Sequence, residues 1–349
     1  MIKSFGFMPD GREVYEVWLS KKEIRAKIIT YGATLNSLVV TDREGNPLDI
    51  VLGFDNLEDY ISQDKCFGCI VGRCTNRISN ARFSLNGTVY NLYKNKAGNS
   101  SHGGKIGFGK KVWDIKEYID NSVTLSLFSP DMEENYPGDL QVEVTYTLLE
   151  DRLKLEYRGV TSKDTIINLT NHAYFNIDGH NAGNIKDQLI SINADSFVWA
   201  DNKTVPDGRI IPVEGTPMDL RQLQPFSKSI DSDYDQIRWG KGYDRNWCIN
   251  GKVGSLNYAC HIEGVKSGIC LDVYTTQPGL QVYTGNFLGG VGVGKENTTY
   301  IDRGAYALEA QGYPDAINHP NFPSVVLKAG EEYRETTEYR FGFAKDLQK

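Results

Sequence analysis

Apolar and polar residues alternate with period two in segment after segment of this chain, and no stretch keeps a helical period. Leu140 to Leu148 (LQVEVTYTL) places an apolar side chain at every second position. Successive side chains of an extended chain point to opposite faces, so such a segment is apolar on one face only. Ser122 to Phe128 and Leu153 to Val160 repeat the pattern. Asp151 precedes the latter, so 140–148 and 153–160 are expected to be adjacent antiparallel strands. Ala81 to Tyr90 alternates around Asn86-Gly87. That dipeptide accepts the positive φ angles of a type I′ hairpin turn. Leu271 to Thr275 and Leu280 to Thr284 extend the pattern late in the chain. Short helical turns are expected around Leu57–Tyr60 and Asp219–Leu223. The sequence predicts an all-β fold: a large antiparallel β-sandwich with long loops. Without a linker or repeat, residues 1–349 are expected to form one domain, since all-β domains can reach this size.

A formal charge of −7 and a pI near 5.4 argue against nucleic acid or an anionic membrane as partner. The first ten residues hold no apolar core of signal-peptide length, and no apolar run approaches the ~20 residues of a membrane span. The expected compartment is the cytoplasm. Of the six cysteines, Cys66 and Cys69 have the spacing of a zinc or redox motif. No second Cys-x-x-Cys pair and no His-rich segment accompany them. The simpler reading is small buried apolar side chains in a reducing compartment.

Six segments carry candidate chemistry. Asn171 to Asn176 (NHAYFN) sets His172 between hydrogen-bonding and aromatic side chains at an expected strand end. Histidine titrates near neutral pH and suits proton transfer there. His102 precedes Gly103-Gly104, which allows close backbone approach to a ligand, or marks a plain turn. Arg73 and Arg77 lie in Gly72 to Ile78. Arg77 fits either a ligand for sugar hydroxyls or anions, or a structural arginine. Asp244, between Tyr243 and Trp247 in an expected loop, fits either a holder of vicinal hydroxyls beside an aromatic face or a turn cap. Gln281 lies on the strand after Pro278-Gly279. Glu309 sits in an otherwise apolar segment, Ala307 to Ala310, where a desolvated carboxylate becomes a better base. The alternative is an edge-strand glutamate facing water. His180, His261 and His319 lack such context and are expected at the surface or in structural bonds.

Together these segments, in order from Gly72 to Asp315, resemble the aldose 1-epimerase (galactose mutarotase) family. The resemblance spans most of the chain, and six ordered motifs are far more specific than any one. It implies the family's large β-sandwich, the galactose mutarotase-like supersandwich. It also implies interconversion of the α- and β-anomers of free aldohexoses such as galactose and glucose. Glu309 would be the general base and His172 the general acid. Asn76, Arg77, His102, Asp244 and Gln281 would bind the sugar, with no cofactor or metal. Acid and base are expected on opposite sides of the C1–O5 region. The partner would be a monosaccharide, and the protein a monomer or homodimer. Three rivals stay open: a hexose-6-phosphate epimerase using Arg73 and Arg77, a non-catalytic sugar-binding sandwich, and a glycosidase using Asp244 and Glu309.

Overall fold

The computed structural model describes residues 1–343. The alternating segments become strands. Leu140–Leu148 is a strand whose apolar side chains Leu140, Val142, Val144, Tyr146 and Leu148 are all fully buried. Such burial is worth roughly 1.5–3 kcal/mol per large aliphatic side chain. The strand pairs in antiparallel register with Ser122–Ser129 on one side and Arg152–Thr161 on the other. The Asn86-Gly87 hairpin forms between Arg82–Leu85 and Thr88–Asn91, with Leu85 opposite Thr88. Its turn residues have φ of 49° and 78°, the positive angles a type I′ turn requires.

Three larger sheets build the body. One of nine strands runs from Asp114–Ile119 at one edge to Gln224–Pro225 at the other, with Glu332–Phe343 between Arg152–Thr161 and Ile269–Thr275. The N-terminal residues from Ile2–Phe7 to Pro47–Asp49 form a five-stranded antiparallel meander. A sheet of six strands runs in the order Tyr174–Phe175, Tyr306–Gln311, Gly279–Tyr283, Asp244–Cys248, Ser196–Ala200, Pro206–Pro212. A single apolar cluster draws on all three: Leu125 and Val144 from the first, Val17 and Leu38 from the second, Val282 and Leu308 from the third. The molecule is therefore an antiparallel β-sandwich with the large sheet packed against the other two.

The two late alternating segments part company. Ile269–Thr275 stays in the nine-stranded sheet, and Gly279–Tyr283 crosses to the six-stranded one through Thr276-Gln277-Pro278. A helix forms at Leu57–Ser62, where the Asn56 side chain accepts from the Asp59 N–H. None forms at 219–223, contrary to expectation. There Asp219 accepts from the Arg221 N–H and pairs with its guanidinium, and the Gln224 side chain donates to the Asp219 carbonyl. Those local bonds satisfy the groups a helix would have used. Among the described residues no helix is long and apolar enough to cross a membrane.

Tyr146 ties the core to the segment holding His172. Its hydroxyl donates to Ala33 O at 2.7 Å and accepts from Asn171 Nδ2 at 3.2 Å. Tyr146→Phe leaves the buried Ala33 carbonyl without that donor, whereas Asn171 Nδ2 keeps its bond to Gly68 O. The expected result in urea denaturation is a loss of about 1–3 kcal/mol.

Candidate active site

The six-stranded sheet fixes three of the candidate residues through strand register. Gln281 lies directly opposite Glu309, and Asp244 opposite Tyr283. Leu280, Val282, Leu308 and Ala310 enter the core, so Gln281 and Glu309 project from the other face by simple alternation. Gln281 Nε2 donates to Asp244 Oδ1 at 2.7 Å, which joins the neighbouring strands' side chains.

Loops cover that second face. Gly68 N–H donates to His172 O at 3.0 Å, and His172 N–H donates to Cys69 O at 2.9 Å, so the 66–69 turn holds His172 over the sheet. His102 N–H donates to Asn76 O at 2.9 Å, and Asn76 N–H donates to His102 Nδ1 at 3.4 Å. Nδ1 is thus an acceptor, which leaves the ring proton of the neutral imidazole on Nε2. The next residue, Gly103, has φ of 86°, and a Cβ there would lie 1.8 Å from Gly72 O. Glycine is needed for this approach, as its place beside His102 suggested. Arg77 Nη1 donates to Ser101 Oγ at 2.6 Å.

Asn76, Arg77, His102, His172, Asp244, Gln281 and Glu309 all line one cleft of about 820 Å³. Glu309 is 2% exposed, which excludes the water-facing alternative. Its Oε1 lies 3.6 Å from His172 Nε2, and the His102 and His172 rings are 5.6 Å apart. The carboxyl and imidazole are neighbours rather than opposed across a sugar ring. At 3.6 Å they do not satisfy each other. Glu309 Oε2, His172 Nδ1 and Arg77 Nε have no protein partner. Unpaired buried polar atoms are costly, and all three belong to side chains that line the cleft.

Burial shapes the electrostatics. It pushes the Glu309 carboxyl up to about 8, with the Asp244 charge adding to the rise and Arg77 opposing it. Burial also holds the His172 imidazole below its usual value, although the nearby Cys66 pulls the other way. The His102 imidazole is held well below, first by burial and then by Arg77.

Several expectations need correction. Asp244 begins a strand and is not in a loop. Its flanking aromatics do not face the cleft: Tyr243 and Trp247 are fully buried and donate to Pro217 O and Met218 O. The aromatic side chains that line the cleft include Tyr174, Trp239, Tyr283 and Phe287 instead. Tyr174 lay within the NHAYFN segment, but strand phase alone did not reveal which aromatics point outward. Arg73 is buried elsewhere, donating to Ser129 Oγ and to Pro137 and Gly138 carbonyls. Cys66 is half-buried on the cleft wall rather than in the core. Two of the other histidines make structural bonds, His180 to Glu296 and His261 to Asp272 and Glu263, and His319 Nε2 lies 3.3 Å from Asp315 Oδ2. His261, Glu263 and Cys270 form a trio with metal-ligand chemistry, but none of them lines the cleft.

Known proteins carry the same architecture. The family model for aldose 1-epimerase matches residues 16–340. Galactose mutarotase of Bos taurus is 42% identical over 341 residues, covering 97% of this chain and 98% of its own. Aldose 1-epimerase of Escherichia coli K12 is 35% identical over 317 residues, 90% and 91% of the two chains. The crystal structure of an aldose epimerase homologue from C. elegans superposes with a TM-score of 0.88 at 29% identity, covering 95% and 99%. Galactose 1-epimerase from Lactobacillus acidophilus gives a TM-score of 0.85 at 26% identity, covering 99% of each chain. The chain belongs to the aldose 1-epimerase family.

Proposed function

We infer that this enzyme interconverts the α- and β-anomers of free aldohexoses, galactose and glucose among them, in the cleft over the six-stranded sheet. The observation that carries the reading is the buried Glu309–His172 pair, 3.6 Å apart with unpaired polar atoms on both partners. Glu309 takes the proton of the C1 hydroxyl while His172 protonates the ring oxygen, and the C1–O5 bond breaks. Rotation about C1–C2 presents the other face of the aldehyde. The ring oxygen then adds back, returning its proton to His172, and Glu309 returns the other to the new C1 hydroxyl. Protons and electrons balance, and no covalent enzyme intermediate is needed. His102 Nε2–H, Arg77, the Asn76 amide and the Asp244–Gln281 pair hold the remaining hydroxyls, and the aromatic walls pack on the ring's apolar faces.

A phosphorylated sugar fits less well. Arg73 is turned away and Arg77 lies among the Asp244 and Glu309 carboxyls, so a phosphate would have to rest on the lysines of the cleft lining, Lys65, Lys96, Lys105, Lys110 and Lys203. A purely sugar-binding protein would have no use for a carboxyl whose charged form is disfavoured by burial. We also read residues 1–349 as one catalytic unit, a reading supported by the apolar cluster common to the three sheets; residues 344–349 lie outside the described ones. The six unpaired cysteines suit the reducing cytoplasm.

Polarimetry of freshly dissolved α-D-galactose and α-D-glucose tests the reading. Faster relaxation to the uncatalysed end point is expected, with no release of aglycone from a galactoside. Glu309→Gln and His172→Asn should each lower kcat by about 10²–10⁴-fold with little change in KM. A near-normal kcat in Glu309→Gln rejects the base assignment. A larger loss in His102→Asn than in His172→Asn reverses the roles of the two histidines.

Glu309 also makes a stability prediction. Its carboxyl is raised from 4.5 to about 8 on folding, so the folded state disfavours its charge. That penalty is absent below pH 4.5, grows as pH rises to about 8, and is complete above it. Glu309→Gln should therefore melt above the wild type at pH 8, with the difference vanishing toward pH 4.5. Equal thermal unfolding at both pH values would mean that the carboxyl is solvated.

A further inference from the structure

The ring-opening chemistry leaves two cleft-lining thiols unused, Cys66 and Cys69. Cys66 is half-buried, whereas the other five cysteines are buried, and all six are unpaired. The Cys69 N–H donates to Cys66 O at 3.3 Å. That bond closes a four-residue turn and keeps the two Cα atoms within about 7 Å. Disulfides form at Cα separations of about 4.4–6.8 Å, so a small tightening of this turn suffices to join the sulfurs. The neighbouring Cys69 thiol lowers the Cys66 pKa, and His172 and Lys110 act in the same direction, against burial and the Glu309 carboxyl. The thiolate is the form that an oxidant meets.

The turn is also fastened to the segment carrying His172. Gly68 N–H and Cys69 O bond the His172 backbone on both sides. Asn171 Nδ2 donates to Gly68 O at 2.7 Å, and the Tyr174 hydroxyl donates to Lys65 O at 3.1 Å. The Cys69 sulfur rests in a slot left open by Gly109, where a Cβ would lie 2.4 Å from it. Drawing that sulfur out toward Cys66 moves the turn, and the turn holds His172.

We propose that Cys66 and Cys69 are a modification site for peroxide-type oxidants, and that closing them to a disulfide displaces His172 and slows anomer interconversion. The Cys66 thiolate attacks one oxygen of hydrogen peroxide, the O–O bond breaks, and hydroxide leaves behind a sulfenic acid. The Cys69 thiol then attacks the sulfenic sulfur, the S–S bond forms, and water departs. The two thiols together lose two electrons and two protons, and the peroxide is reduced to two waters. A dithiol reductant reverses the step by exchange. The kinetic half of this proposal rests on the acid role inferred for His172, and the modification itself does not.

The test exposes the reduced full-length protein to hydrogen peroxide and divides each sample between peptide mass mapping and polarimetry on α-D-galactose. The expected result is loss of two hydrogens confined to the peptide with Cys66 and Cys69, and relaxation slowed by about 10²-fold. Dithiothreitol should reverse both changes. The untreated Cys66→Ser and Cys69→Ser rates are the references against which their treated samples are read. Treated Cys69→Ser should stop at one added oxygen on Cys66, and treated Cys66→Ser should lose no hydrogens. If a serine variant fails to fold, Cys66→Ala takes its place, and the wild-type measurements need no variant. The proposal is overturned if the pair stays reduced while buried cysteines oxidise, or if the disulfide forms with the rate unchanged. A reduced protein without mutarotase activity would contradict the functional reading instead, and the mass map would still decide the thiol pair.

Discussion

The site depends on the register between strands Gly279–Tyr283 and Tyr306–Gln311, in which Gln281 faces Glu309. Side chains in a strand alternate, so this register sends Leu280, Val282, Leu308 and Ala310 into the core and the two polar groups out of it. A slip of one residue would exchange the sets, burying a carboxyl among aliphatic side chains and exposing leucines. The apolar core therefore enforces the placement of the polar site. On its other side Gly279–Tyr283 pairs with Asp244–Cys248, and there Gln281 Nε2 lies 2.7 Å from Asp244 Oδ1, so the side chain of one strand steadies that of the next.

Covering the polar face with loops creates the chemistry. Glu309 is buried beneath this cover, and desolvation is the largest cause disfavouring its charge, with Asp244 adding to it. The same burial disfavours the imidazolium of His172. Both shifts place the pair's one proton on the carboxyl at neutral pH, and the proposed ring opening uses the tautomer in which that proton has moved to His172. That count is the one ring opening requires: an acceptor for the hydroxyl proton and a donor for the ring oxygen. The unpaired atoms on both groups are a local cost in stability that a sugar's oxygens would offset.

Strand alternation made the fold legible in the sequence. Leu140–Leu148 and the Asn86-Gly87 hairpin followed from local rules, because each specifies its own face or turn. Local rules could not reveal which sheet a strand joins. The late segments at 269 and 279 look alike, yet they separate into different layers through a three-residue crossing. The seven candidate residues were legible as a set through the order of their motifs, each alone was ambiguous, and all seven line one cleft. Long-range packing hid the rest. Tyr243 and Trp247 flank Asp244 but bury their rings, whereas Trp239, before that segment, and Phe287, on a distant one, reach the cleft. Cys66 was misjudged because its spacing gave no sign of the cleft beside it.

The most direct test of this account is the pH dependence of kcat/KM for galactose. If the Glu309–His172 pair works with one shared proton, the profile is a bell. Its basic limb falls near pH 8, where that proton is lost, and its acid limb lies below the ordinary histidine value of 6.5, where a second is gained. A rate that climbs through pH 8 to a plateau would contradict the account, because the pair would then act after its proton had gone.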